Sequence, residues 1–136
     1  MKEQLSIILE KELEVIEELL KALEKQHINL INSNAVSLEG CAKDIEAINK
    51  KVAEWEVKRR EITHGRVMRE IIDEIKDENA EKNFRKLRKL LEEARLQKDT
   101  NELLIKQGLG FTNRILNIMN PSRSPKTYNS YGKVKR

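Results

Sequence analysis

The sequence predicts an all-α protein: an elongated antiparallel bundle of three long helices, with a short additional helical segment and a disordered basic C-terminal tail. Three observations lead there. Charged residues make up 37% of the 136-residue chain and hydrophobic ones 38%, with only 5 Gly, 2 Pro and 4% aromatics, a mixture that suits solvent-washed helices better than sheets. Apolar residues recur at seven-residue spacing over three long stretches, as amphipathic bundle helices require. That periodicity lapses near Asn32 and near His64 and resumes after each break. The length fits one modest domain, here residues 1–119, followed by a flexible tail over 120–136.

In the first helix, Leu9, Ile16, Leu23 and Leu30 form one series, with Leu13 and Leu20 beside it and Leu5 and Leu19 widening the stripe. So broad a face predicts two neighbours or an uncovered groove. Asn32, Ser33 and Asn34 then supply short polar side chains that compete for backbone bonds and start helices, so the chain turns there. The second helix carries Leu38, Ile45 and Val52 in one position, and Cys41, Ile48, Trp55 and Ile62 in the other. Arg59 falls on the first series, where its stem covers apolar surface while its guanidinium reaches water. Trp55 reads as a large side chain plugging a bundle layer. Gly40 weakens this helix, which a close backbone approach would explain.

After Thr63, His64 and Gly65 comes an amphipathic segment over 67–77 with Val67, Met68, Ile71, Ile72 and Ile75, either a separate short helix or the top of a bent second one. The last helix is expected from about Ala80 to Met119, roughly 60 Å at 1.5 Å per residue. Phe84, Leu91, Ile105 and Met119 share one series; Leu87, Ala94, Asn101, Gly108 and Ile115 a second; Leu90, Leu104, Phe111 and Ile118 a third. Lys98 and Asn101 interrupt this apolar face, which either fixes register or marks a change of contacts. Gly108 and Gly110 permit a bend or a close approach. Pro121 and Pro125 end the helix.

The formal charge of +4 is unevenly placed. Arg123, Lys126, Lys133, Lys135 and Arg136 follow Asn120 with no acid among them, and taking these five from 27 leaves 22 basic against 23 acidic residues before the tail. A basic tail suits an acidic partner, a nucleic acid or an anionic membrane, and charge alone does not choose. Glutamates interrupt the N-terminal apolar positions, so neither a signal peptide nor a membrane span is expected. With Cys41 the sole cysteine, no intramolecular disulfide can form. The expected location is the cytoplasm.

Catalytic and ligand chemistry finds little support. His27 and His64 lack partners at metal-ligand spacing. A Cys41 and His27 pair across a helix hairpin has no orienting third group. No Glu-x-x-His repeat of the di-iron kind is present, and Gly108 to Gly110 lacks the strand and lysine of a phosphate loop. No enzyme activity, cofactor or metal is expected. Nucleic-acid binding rests only on the tail and on Lys58 to Arg60. A helical binding module is the better reading, with an unrelated helical adaptor or a nucleic-acid-associated bundle as alternatives.

The order of several motifs resembles the FlgN family of flagellar export chaperones. Leu9 to Glu24 reads LxxxLxxIxxLLxALE, Ala35 to Ile48 reads AxxLExxxxxIxxI, Trp55 to Arg60 reads WExxRR, and Asn101 to Met119 reads NELLIKQxLxFxNRILxIM. Thr127 to Gly132 reads TYNSYG, with Asn129 where the family commonly has aspartate. The resemblance implies a cytoplasmic chaperone that holds hook-filament junction proteins by their terminal amphipathic helix, prevents premature assembly and delivers them to the type III export gate. The implied partners are those junction proteins, the cytoplasmic domain of the gate and the export ATPase complex, with no nucleic acid and no stable membrane insertion. It further implies that Tyr128 docks the loaded chaperone on the gate, with Tyr131 the competing candidate. Client contact then falls to Leu104, Ile105, Phe111, Ile115 and Ile118, whose helical spacing suits a groove, with Leu13 and Leu20 as a second wall. For Ile105 and Ile115 a place in the permanent core competes with direct contact.

Overall fold

The computed structural model describes residues 2–119 and the backbone of 127–128 and 134–135; the side chains of 109–115 within the last helix are outside the description. The elements are α1 (Lys2–Ile31), α2 (Ala35–Thr63), α3 (Met68–Ile75), α4 (Glu78–Met119), β1 (Thr127–Tyr128) and β2 (Val134–Lys135). The long helices account for nearly all of it. Two compact units are present, Met1–Asn101 and Glu102–Arg136, and α4 contributes to both.

Each helix boundary has a local cause. At the end of α1, Ser33 takes the left-handed conformation at φ 53°. The Asn34 N–H bonds the Asn29 carbonyl and the Ser33 N–H bonds that of Leu30, so two otherwise orphaned carbonyls are satisfied. Asn34 then caps α2 by accepting from the Ser37 N–H at 3.2 Å, as a short polar side chain does at an N-terminus. His64 and Gly65, at φ 54° and 74°, end α2. α3 is a separate helix, ended by left-handed Lys76. Asp77 accepts from the Asn79 N–H at 3.0 Å and caps α4, which therefore begins at Glu78, ahead of the expected Ala80.

Within Met1–Asn101, α1 and α2 are antiparallel: early residues of one meet late residues of the other, Glu12 with Arg59, Glu18 with Lys51 and Asn29 with Cys41. α4 runs parallel to α1, since Glu17 meets Lys86 and Leu23 meets Asn101. The core joins Leu5, Leu9, Leu13 and Ile16 of α1, Ile71 and Ile72 of α3, and Ala80, Phe84 and Leu87 of α4, with Val52 of α2 packed against it. Arg69 ties α3 to α4 by donating to Asp73 at 2.6 Å and Glu81 at 2.7 Å, its guanidinium lying 5.6 Å from the Phe84 ring. Hydrogen bonds from Arg69 hold both carboxyls below their usual range.

Of the three apolar series of α4, the one through Leu87, Ala94 and Asn101 is buried, while Leu91 is 45% exposed although it shares a series with buried Phe84. Three expectations need correction. Leu13 lies in the core and cannot wall a groove, while Leu20 is half-buried. Among the described residues, nothing lies within 4 Å of where a Cβ would stand on Gly40, so no close backbone approach explains that glycine. Arg59 does not simply reach water: its Nε donates to Glu12 at 2.9 Å, with side chains 20% and 11% exposed. The expected disorder of the tail falls on residues mostly outside the description. Its described backbone pairs Thr127 with Lys135 and Tyr128 with Val134, antiparallel.

Candidate functional site

The residues expected to meet a client lie on the last part of α4, in the unit Glu102–Arg136. Leu104 is half-buried, Ile105 is 39% exposed and Ile118 is 75% exposed. Leu103 and Leu116, which sequence reasoning passed over, and Met119, which it placed only in a heptad series, are exposed as well. Phe111 and Ile115 fall within α4, with side chains outside the described residues. Tyr128 belongs to β1, and its side chain and all of Tyr131 also lie outside the description. The helix itself explains the grouping of Leu104, Phe111, Ile115 and Ile118: steps of seven, four and three residues return to one face.

Where Met1–Asn101 ends, a polar cluster interrupts the apolar seam. Asn101 is 1% exposed. Its Nδ2 donates to the Leu23 carbonyl at 2.8 Å and to Gln26 Oε1 at 2.9 Å, and its Oδ1 accepts from Gln97 Nε2 at 3.0 Å. His27 Nδ1 lies 3.2 Å from the same Oδ1, which can only accept, so the imidazole carries its proton on Nδ1. The Leu23 carbonyl likewise fixes which way the Asn101 amide faces. Among the described residues no buried side-chain nitrogen or oxygen is left unsatisfied.

His27 is engaged with Asn101, and buried Cys41 accepts from Asn29 Nδ2 at 3.2 Å. Among the described residues, no group of three or more His, Cys, Asp or Glu could hold a metal ion, and no helix is long and apolar enough to cross a membrane. Half-buried Trp55 sits beneath the Lys58 ammonium, 4.2 Å from its ring centroid. Lys82, Arg85, Lys86, Arg88 and Lys89 fall within eight residues that contain no acid, a cluster hidden when charge is averaged over residues 1–119. Three are already engaged, Arg85 with Glu81, Lys86 with Glu17, and Arg88 over the Phe84 ring at 5.8 Å.

A family model described as FlgN protein matches residues 1–136, every residue of the sequence. The chain belongs to the FlgN family. No curated protein and no solved structure matches it. FlgN-family proteins are non-catalytic chaperones of flagellar assembly, and as a family they interact with hook-associated proteins and the export apparatus.

Proposed function

We propose that this FlgN-family chain works in the cytoplasm as the export chaperone of hook-filament junction proteins. It holds their terminal amphipathic helix, prevents premature assembly and delivers them to the type III export gate. One observation chiefly supports this reading: a helix end bearing exposed Leu103, Ile105, Leu116, Ile118 and Met119, more apolar surface than isolated surface residues account for. A client's apolar stripe can lie against such a face through contacts three and four residues apart. Leu104, Ile105, Phe111, Ile115 and Ile118 are the contact residues in this reading, and no metal or cofactor enters it.

Truncating Phe111 or Ile118 to alanine should leave the helical circular-dichroism signal intact and weaken binding of a junction-protein terminal helix about tenfold, the effect of losing one well-packed anchor. Calorimetric titration with the synthetic helix decides the point, and unchanged affinity in both folded variants places the contact elsewhere. Tyr128 is the docking residue for the gate, with the export ATPase complex as a further site of delivery. Client-loaded Tyr128→Ala should bind the purified gate domain more weakly than Tyr131→Ala. Parent-like binding by both removes the tyrosine from the mechanism.

A further inference from the structure

The apolar seam of α4 does not by itself fix how far the helix slides along α1. Ala80, Leu87, Ala94 and Asn101 recur every seven residues, so a shift of seven residues, about 10 Å along the axis, again sets apolar side chains of this series against the leucines of α1. Asn101 breaks the degeneracy. In the observed register both of its amide protons and its carbonyl oxygen are used, against Leu23, Gln26 and His27 of α1 and Gln97 of its own helix. Shifted by seven toward the start of α1, the amide would lie near buried Ile16, a polar group without partners; shifted the other way it would leave Gln26 and His27 for the exposed end of α1 at Ile31. Gln26 and His27 occupy only one level of α1, so only one register satisfies the cluster.

We propose that Asn101 is a positioning residue: it sets the single axial register of α4 on α1, and so decides which residues of α4 are packed and which remain for a partner. It is the last residue of the unit Met1–Asn101, and the segment assigned above to client capture begins at the next few positions. The register claim stands on the hydrogen-bond geometry alone; the consequence for partner binding rests on the proposed function. A lone polar residue in an apolar seam restricts the allowed alignments while giving up some stability. Asn101→Leu should therefore fold. Half-buried Gln26, His27 and Gln97 can turn to water, and the Leu23 carbonyl keeps its place in the helical ladder.

The test uses the full chain with Cys41→Ser and nitroxide labels at Glu14→Cys and Glu93→Cys, both exposed positions on α1 and α4. Dipolar spectroscopy should give one narrow distance in the Asn101 protein. In Asn101→Leu the distance should broaden or gain a second population, while the melting temperature stays level or rises. Binding of a synthetic junction-protein terminal helix should weaken at least threefold. One unchanged narrow distance in Asn101→Leu overturns the proposal, and so does a lowered melting temperature with that distance preserved, since both describe mere packing. If Asn101→Leu does not fold, Asn101→Leu with Gln26→Leu, which leaves fewer polar groups unpaired, is judged by the same distance. Should the Asn101 protein itself fail to bind the peptide, terminal-helix capture falls, and the distance distributions still decide the register.

Discussion

Truncating Leu9 to alanine should lower the unfolding free energy by about 2–5 kcal/mol, among the largest losses for any apolar side chain of the bundle. Leu9 is fully buried where α1, α3 and α4 meet, in the cluster with Leu5, Ile71, Ile72 and Phe84. Its removal leaves a space that three elements would have to close together. The eight residues of α3 bury Ile71 and Ile72 in that cluster, so α3 loses support as well. Leu91→Ala is the internal comparison. That side chain is 45% exposed, and its truncation should cost about 0.5 kcal/mol or less. Urea unfolding followed by circular dichroism gives both numbers, and similar losses would contradict the assignment of the seam to Leu87 and Ala94.

The contrast between Leu9 and Leu91 shows what periodicity can decide. In α1 the series Leu9, Ile16 and Leu23 is buried throughout, because one dominant stripe leaves a helix little choice of face. α4 has three adjacent apolar series, and spacing alone does not rank them. The choice depends on where α1 and α3 lie, which is tertiary information. The turn at Asn32 to Asn34 was legible because polar residues there have a local role. Asp77 has the same role at the start of α4, but its acidic and polar surroundings read as the end of the preceding segment.

The polar contacts follow the same division. Asn101 stands out in sequence as an amide within a leucine and alanine series, whereas its partners Gln26 and His27 lie 75 and 74 residues away and have no local signature. Arg59 was legible as an inward-facing position, but not as the partner of Glu12, 47 residues distant. Membership of the FlgN family was carried by the order of motifs along the chain, which survives without knowledge of any contact. Among the proposed client residues, the sequence grouped Leu104 and Ile118 by spacing, yet it did not single out Leu103, Leu116 or Met119, whose exposure depends on the packing around them.

The Glu12–Arg59 pair should respond asymmetrically to loss of either member. Burial pushes the Glu12 carboxyl above its ordinary value of 4.5, and attraction and hydrogen bonding from Arg59 only partly oppose this. A raised carboxyl favours the folded state while it is protonated. That contribution is fully present below 4.5 and is lost as pH rises through the folded pKa. Glu12→Gln, which keeps an acceptor for the Arg59 Nε, should therefore be neutral or slightly stabilising at pH 7. Arg59→Met removes the attraction and leaves a buried carboxylate alone, which should cost about 3 kcal/mol at pH 7. The loss should shrink toward pH 4.5 as Glu12 takes up its proton, and Glu12→Gln with Arg59→Met should recover most of it at pH 7. Exposed Asp73, Glu74 and Glu92 and half-buried Glu81 have the opposite sign: arginine partners hold their carboxyls low, so their contributions persist above the ordinary values and fade as pH falls through the lowered ones. Because Arg59→Met leaves those four pairs intact, its unfolding free energy relative to the parent at pH 4.5, 6 and 7 isolates Glu12. A loss independent of pH would show that the Arg59 stem, and not its charge, holds α2 to α1.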